Sequence, residues 1–268
     1  MAEPYVLPPS DAPRKTLVLL PWGQPFVWLR KGGADLLAHP GIAAFYGVAF
    51  CTMAVVLAAV FRAKPEYTMS IASGCLLVGP FLAMGLYEVS RRRELGMAPE
   101  LGASVTCWDR HLGSMGLLVL VLVVLELLWG RASLVVFAVF FNTGMPSTTG
   151  VLEAVFNPQN WEFVAAYAVV GGAFAMLVFA TAVVSIPMIL DRDTDAISAA
   201  ITSLEVVFHN IGVMALWGLL LTTLVVLAML LPWSLGLLVV GPWLGHASWH
   251  AYRGAVQWPG DVTVAPSN

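Results

Sequence analysis

The segment IGVMALWGLLLTTLVVLAMLLPWSLGLLVVGPWLGHASW, residues 211–249, runs for 39 residues without an Asp, Glu, Lys or Arg. As a single helix it would be about 60 Å long, about twice the ~30 Å hydrocarbon core of a bilayer. It must therefore turn. Pro232, followed by Trp233 and Ser234, supplies the helix break and the interfacial residues, giving spans of roughly 211–231 and 233–250.

Working outward, Gly41–Phe61, Met69–Val89, Gly113–Phe141 and Phe163–Leu190 are four more stretches of the same kind, for six spans in all. The bulk composition agrees: of 268 residues, 59% are apolar and 11% charged, where a soluble domain carries a charge on about one residue in four. The fold class is all-α, a polytopic membrane protein of about six transmembrane helices. Gly113–Phe141 has two readings: one tilted helix, or a span that ends at Trp129, Gly130 and Arg131 with an external segment after it. The connection 142–162 is then the largest external feature.

Basic residues orient the spans. Arg14, Lys15, Arg30, Lys31, Arg91, Arg92, Arg93, Arg110, Arg192 and Arg253 fall on the side of the N-terminus, and Arg62, Lys64 and Arg131 on the other. Ten against three places both termini in the cytoplasm. Residues 1–25 hold six prolines and no charged-then-apolar leader, so they are expected to be a mobile cytoplasmic tail and not a cleavable signal peptide. Residues 259–268 form a second, short tail. The net charge of -3 and a single basic run, Arg91–Arg93, argue against nucleic acid as a partner. Cys51, Cys75 and Cys107 have no paired spacing and imply no disulfide framework.

The chain also resembles itself. Gly79, Pro80, Phe81 and Leu82 precede Arg91, and at a constant offset of 162 Gly241, Pro242, Trp243 and Leu244 precede Arg253, aligning Tyr87 with Trp249 and Glu88 with His250. His39-Pro40-Gly41, His111-Leu112-Gly113 and His209-Asn210-Ile211-Gly212 open alternate spans, each after a short amphipathic stretch. In the last of these, Ile197, Ile201, Leu204 and Phe208 form one helical stripe; Leu101, Val105, Trp108 and Leu112 repeat its spacing. The expected unit is an in-plane cytoplasmic helix, a span out and a span back, occurring three times in parallel within the membrane domain 26–258, at about 26–96, 97–195 and 196–258.

The segments 77–92 (LVGPFLAMGLYEVSRR), 185–193 (SIPMILDRD) and 241–253 (GPWLGHASWHAYR) resemble an uncharacterised, domain-of-unknown-function family of predicted bacterial integral-membrane proteins, over roughly residues 26–254. The resemblance implies a bacterial inner-membrane location and no reaction.

Ionisable groups at membrane depth are functional candidates because a central charge costs about 2.5–3.5 kcal/mol. Glu126 is one, either pairing near the outer interface with Arg131 or relaying protons. His246 and His250, at i and i+4, share a helix face and are candidate ligands for a metal or haem, with Glu88 at the same depth through the repeat. A structural metal site needs about four ligands, so the plainer reading is a set of interfacial polar caps beside Tyr87, Trp249, Tyr252 and Arg253. His39, His111 and His209 read as junction residues between interfacial and spanning helices. Asp193, Thr194 or Asp195 can cap the third in-plane helix.

No nucleotide loop, zinc signature, nucleophile elbow or kinase set occurs, so no catalytic residue, bound metal or cofactor is expected and the protein is read as non-enzymatic. The expected function is that of an accessory or assembly subunit of a larger inner-membrane complex, touching lipids and other membrane subunits or itself. A carrier of a small or lipid-like solute is the alternative, and a haem- or metal-binding membrane protein the second.

Overall fold

Prolines set where the first two helices start: Pro25 lies in the first turn of α1 (Gln24–Ala38) and Pro40 in that of α2 (Pro40–Ala63), where a missing N–H costs nothing. The computed structural model describes residues 15–64, 68–141 and 157–259. After α2 come α3 (Thr68–Glu94), the short α4 (Leu101–Thr106), α5 (Leu112–Phe140), α6 (Trp161–Ala182), α7 (Ser185–Arg192), α8 (Ala196–His209), α9 (Ile211–Leu230) and α10 (Leu237–Ala255). Asp195 is the residue that caps α8: its carboxylate accepts from the backbone N–H of Ile197 and Ser198 at 3.0 and 2.9 Å. The Ser198 bond above all holds that carboxyl below the usual range.

Helices stand at all six expected positions. Four stretches, Pro40–Ala63, Leu101–Phe140, Trp161–Arg192 and Ile211–Leu230, are long and apolar enough to cross a membrane. The other two positions belong to α3 and α10, which carry the charged and histidine residues considered below and each hold an internal proline, Pro80 and Pro242. The break in 211–249 falls where expected: Pro232–Ser234 form a single 3-10 turn. Trp233 and Ser234 both have positive φ, 57° and 55°, a conformation that costs on the order of 1 kcal/mol or more per non-glycine residue.

The centre of the structure is α10, which packs against α1, α2 and α3. Its approach to α1 and α2 depends on glycine: a Cβ on Gly32 would lie 2.6 Å from the backbone nitrogen of Ala247, and one on Gly47 would overlap the carbonyl oxygen of Leu238. Trp28 of α1 meets Trp217 of α9 edge-on at 5.4 Å, and both are buried. The hairpin of α5 and α6 joins this body at one end, through α3 and α8.

The short helices turn their apolar stripes outward. On α8, Ile197, Ile201 and Phe208 are exposed, whereas Ala199, Thr202, Ser203, Val206 and Val207 are buried; on α4, Leu101 and Val105 are exposed and Ser104 is buried. An exposed apolar face of this kind suits a helix lying in the interface plane.

Of the two readings of residues 113–141 the structure has the single helix: α5 runs unbroken through Trp129-Gly130-Arg131 to Phe140, because neither Gly nor Arg removes a backbone donor as proline does. One expectation is corrected. The N-terminal tail is not free to residue 25. Thr16 and Leu17 pair antiparallel with Gln257 and Val256. Asn210 holds the same strap, its side chain accepting from Leu20 N–H at 2.8 Å and donating to the Val18 carbonyl at 3.0 Å, while Lys15 pairs with Glu205. Asn210→Ala removes a buried bond at Leu20 N–H and a part-buried one at the Val18 carbonyl, so residues 15–23 should become cleavable by protease in detergent while the helical core stays resistant. Equal protection of both proteins would contradict that role. The expected external loop at 142–156 lies outside the described residues.

Candidate functional site

Three helix ends converge on one carboxylate. On α1, Pro25, Trp28, Gly32 and Asp35 make up the buried face, so Asp35 points inward by helical spacing. On α3, Ser90 and Arg93 lie one turn apart, and α10 brings His246 and His250. Ser90 Oγ donates to Asp35 Oδ2 at 2.6 Å, His250 Nε2 is 2.8 Å from the same oxygen, and Arg93 Nη1 donates to Asp35 Oδ1.

His246 completes the chain, with Nδ1 2.8 Å from Ser90 Oγ. Since the hydroxyl proton of Ser90 is committed to Asp35, the ring must donate from Nδ1. Its Nε2 is fully buried and makes no hydrogen bond among the described residues. Burial acts to raise the Asp35 pKa, but the bonds from His250 and Ser90, with the nearby imidazoles, outweigh it and hold the carboxyl below its ordinary 3.8. Asp35 is an anion at neutral pH.

The sequence-derived candidates separate here. His246 and His250 share the face that their spacing implied and belong to one network. Glu88 does not join them: it is captured by Arg91 and Arg92, three and four residues on, at 2.7 and 3.0 Å. Glu126 is half-buried midway along α5, and Arg131 is exposed. His39, His111 and His209 each sit at a junction between a short helix or turn and a long helix, and His111 Nδ1 faces Asp193 at 3.1 Å. Among the described residues no group of three or more His, Cys, Asp or Glu is placed to hold a metal ion.

Sequence reasoning missed Asp35, Ser90 and Arg93. The available signal was the stripe Trp28, Gly32, Asp35, where the one acid of the helix shares a face with a tryptophan and a glycine.

The C-terminal end of α10 is tied down in the same way. Trp249 Nε1 and Arg253 Nε reach Glu94 at 2.9 and 3.1 Å, and Tyr252 Oη donates to Asp191 Oδ2 at 2.7 Å. Beside this lies an open pocket of about 540 Å³ between the ends of α3, α4 and α7, lined by Glu88, Arg91, Arg92, Asp109, Arg110 and Asp193 among others. Arg91, Arg92 and Arg110, three of the basic residues assigned to one side of the membrane, thus line one pocket.

No curated protein and no solved structure matches this chain. Residues 67–191, which contain the first of the three segments noted for their family resemblance and all but the last two residues of the second, match the family described as "Predicted integral membrane protein (DUF2189)". The apolar helices and this match together identify the chain as an integral membrane protein, similar over that stretch to an uncharacterised membrane family.

Proposed function

We propose that the chain is a non-enzymatic accessory or assembly subunit of a larger complex in the bacterial inner membrane, crossing it six times with both termini in the cytoplasm and built from three parallel helix units. The observation that supports this reading is the state of the α5–α6 hairpin. The fully buried residues of α5 are confined to Met115, Leu118, Val119 and Leu122, and those of α6 to Phe163 and Ala180. The 18 residues Val123–Phe140 therefore extend about 27 Å with no fully buried side chain. Along α6, Ala165, Ala168, Gly172 and Ala175 form an exposed small-residue stripe, and a Cβ on Gly172 would meet nothing within 4 Å. Inside a membrane, small residues are where helices approach closely, since lipid gives apolar side chains no reason of their own to leave it. A second transmembrane subunit is the occupant this stripe suits.

Mild-detergent extraction, native gel separation and mass spectrometry of the band test the reading. A larger complex with a stoichiometric partner is expected, and Gly172→Leu should dissolve it while leaving the melting temperature of the isolated chain within about 2 °C. A lone, monodisperse band would contradict the subunit reading and favour a carrier, for which the polar pocket speaks. A visible absorption band would favour a haem protein, for which the buried His246 Nε2 speaks.

A further inference from the structure

We propose that the pocket between the ends of α3, α4 and α7 binds the zwitterionic head group of a phospholipid. Its walls carry three guanidinium groups, Arg91, Arg92 and Arg110, against four carboxylates, Glu88, Asp109, Asp191 and Asp193. A site for a simple anion would show a surplus of cations, and a cation site a surplus of carboxylates. A near-balanced wall suits a ligand that carries both signs. Much of the wall is pre-organised: Glu88, 5% exposed, holds Arg91 and Arg92 in place from α3. Asp109 and Arg110 differ, being exposed and without a hydrogen bond or ion pair among the described residues, so one charge of each sign is available at the rim.

The position of the pocket argues for a lipid over a free solute. The turn that carries Asp109 and Arg110 runs straight into α5, a candidate span, whose Leu112, Leu117 and Leu120 are exposed apolar residues. Polar recognition therefore sits directly beside a surface for acyl chains, at the level where helices leave the bilayer. The volume, about 540 Å³, is in the range of small-ligand pockets and accommodates a phosphorylated amino alcohol with part of its glycerol. Guanidinium groups match the phosphate by paired hydrogen bonds, and carboxylates match the ammonium. This inference is independent of the subunit reading.

The test uses the full chain, purified and delipidated in detergent, titrated by native mass spectrometry with phosphatidylethanolamine, phosphatidylglycerol and glycerophosphoethanolamine. Phosphatidylethanolamine should be retained about tenfold more tightly than phosphatidylglycerol, and the double variant Asp109→Asn/Arg110→Gln should lose about that factor. Phosphatidylethanolamine should also raise the melting temperature of the unaltered chain more than phosphatidylglycerol does, a readout that depends on no variant. Equal retention of the two lipids, or an unaltered adduct in the double variant, would overturn the proposal. So would competition by glycerophosphoethanolamine at equal concentration, which would make the site one for a soluble zwitterion.

Discussion

Replacing Asp35 with Ala should destabilise the protein by about 3 kcal/mol, the loss expected when one member of a buried charged network is removed and its partners are stranded. Ser90, His250 and Arg93 each lose an acceptor, and the hydrogen bond from His246 loses the oriented hydroxyl that receives it. The Arg93 side chain is 40% exposed and its share is screened by solvent, so most of the effect belongs to Ser90 and the two histidines. In a thermal melt in detergent the loss corresponds to a fall on the order of 10 °C. Ser90→Ala should cost less, because Arg93 and His250 still satisfy the carboxylate. A melting temperature unchanged in Asp35→Ala would mean that the network does not hold α1 against α3 and α10.

The same carboxylate gives a pH dependence of known sign. Its folded-state pKa lies below 3.8, so the stability it contributes is fully present above that value and is lost as the pH falls through the folded pKa. The natural chain should therefore lose stability in acid below about pH 4. Asp35→Asn should start lower at neutral pH and show a shallower acid limb. Parallel curves would show that other carboxylates govern the acid side.

The second large effect is steric. In Gly47→Leu the new Cβ would overlap the Leu238 carbonyl oxygen, a backbone atom that cannot rotate away, so α2 and α10 must separate along their contact. Overpacking of this kind costs about 1–3 kcal/mol where side chains can adjust, and more is expected here because a helix axis must shift. Little folded protein should be recovered from membranes. Gly116→Ala on α5 is the control: nothing from a neighbouring element lies within 4 Å of its Cβ, and the change should be neutral or stabilise the helix by up to about 1 kcal/mol. Recovery and melting of the two variants measure the contrast, and similar losses in both would assign the effect to glycine flexibility instead of packing.

A like contrast shows where reading the sequence ended. Gly79 and Gly241 occupy equivalent places in the self-similar segments, yet a Cβ on Gly241 would lie 2.8 Å from the Phe50 ring while Gly79 is open. The periodicity located both glycines and the proline after each, but not which of them a neighbour presses on. The six long helices were legible because apolar runs and prolines act locally. The pairing of His246 with His250 was legible for the same reason, since i and i+4 share a face. Asp35 was not, because its partners on α10 lie more than 200 residues away and reach it by a tertiary approach of α1 to α10 that Gly32 permits at Ala247. Alignment of the repeats set Glu88 at the depth of His250, but Arg91 and Arg92 compete for it one turn along the same helix. The strap at 15–20 was hidden because its hold depends on Asn210 and on two residues past α10, none of which carries a local signal.

In the proposed topology the chain crosses the membrane six times, and its polar helix ends, with both tails, lie on the cytoplasmic face. Impermeant maleimide labelling of intact bacteria, using single cysteines at Ser10, Ser147 and Ser267 in a background lacking Cys51, Cys75 and Cys107, tests this most directly. Labelling of Ser147→Cys alone is expected, with Ser10→Cys and Ser267→Cys reacting only after the cells are opened. Labelling of one tail but not the other would require an odd number of crossings, and labelling of both tails but not Ser147→Cys would invert the protein. Either result would overturn the six-crossing topology with cytoplasmic tails.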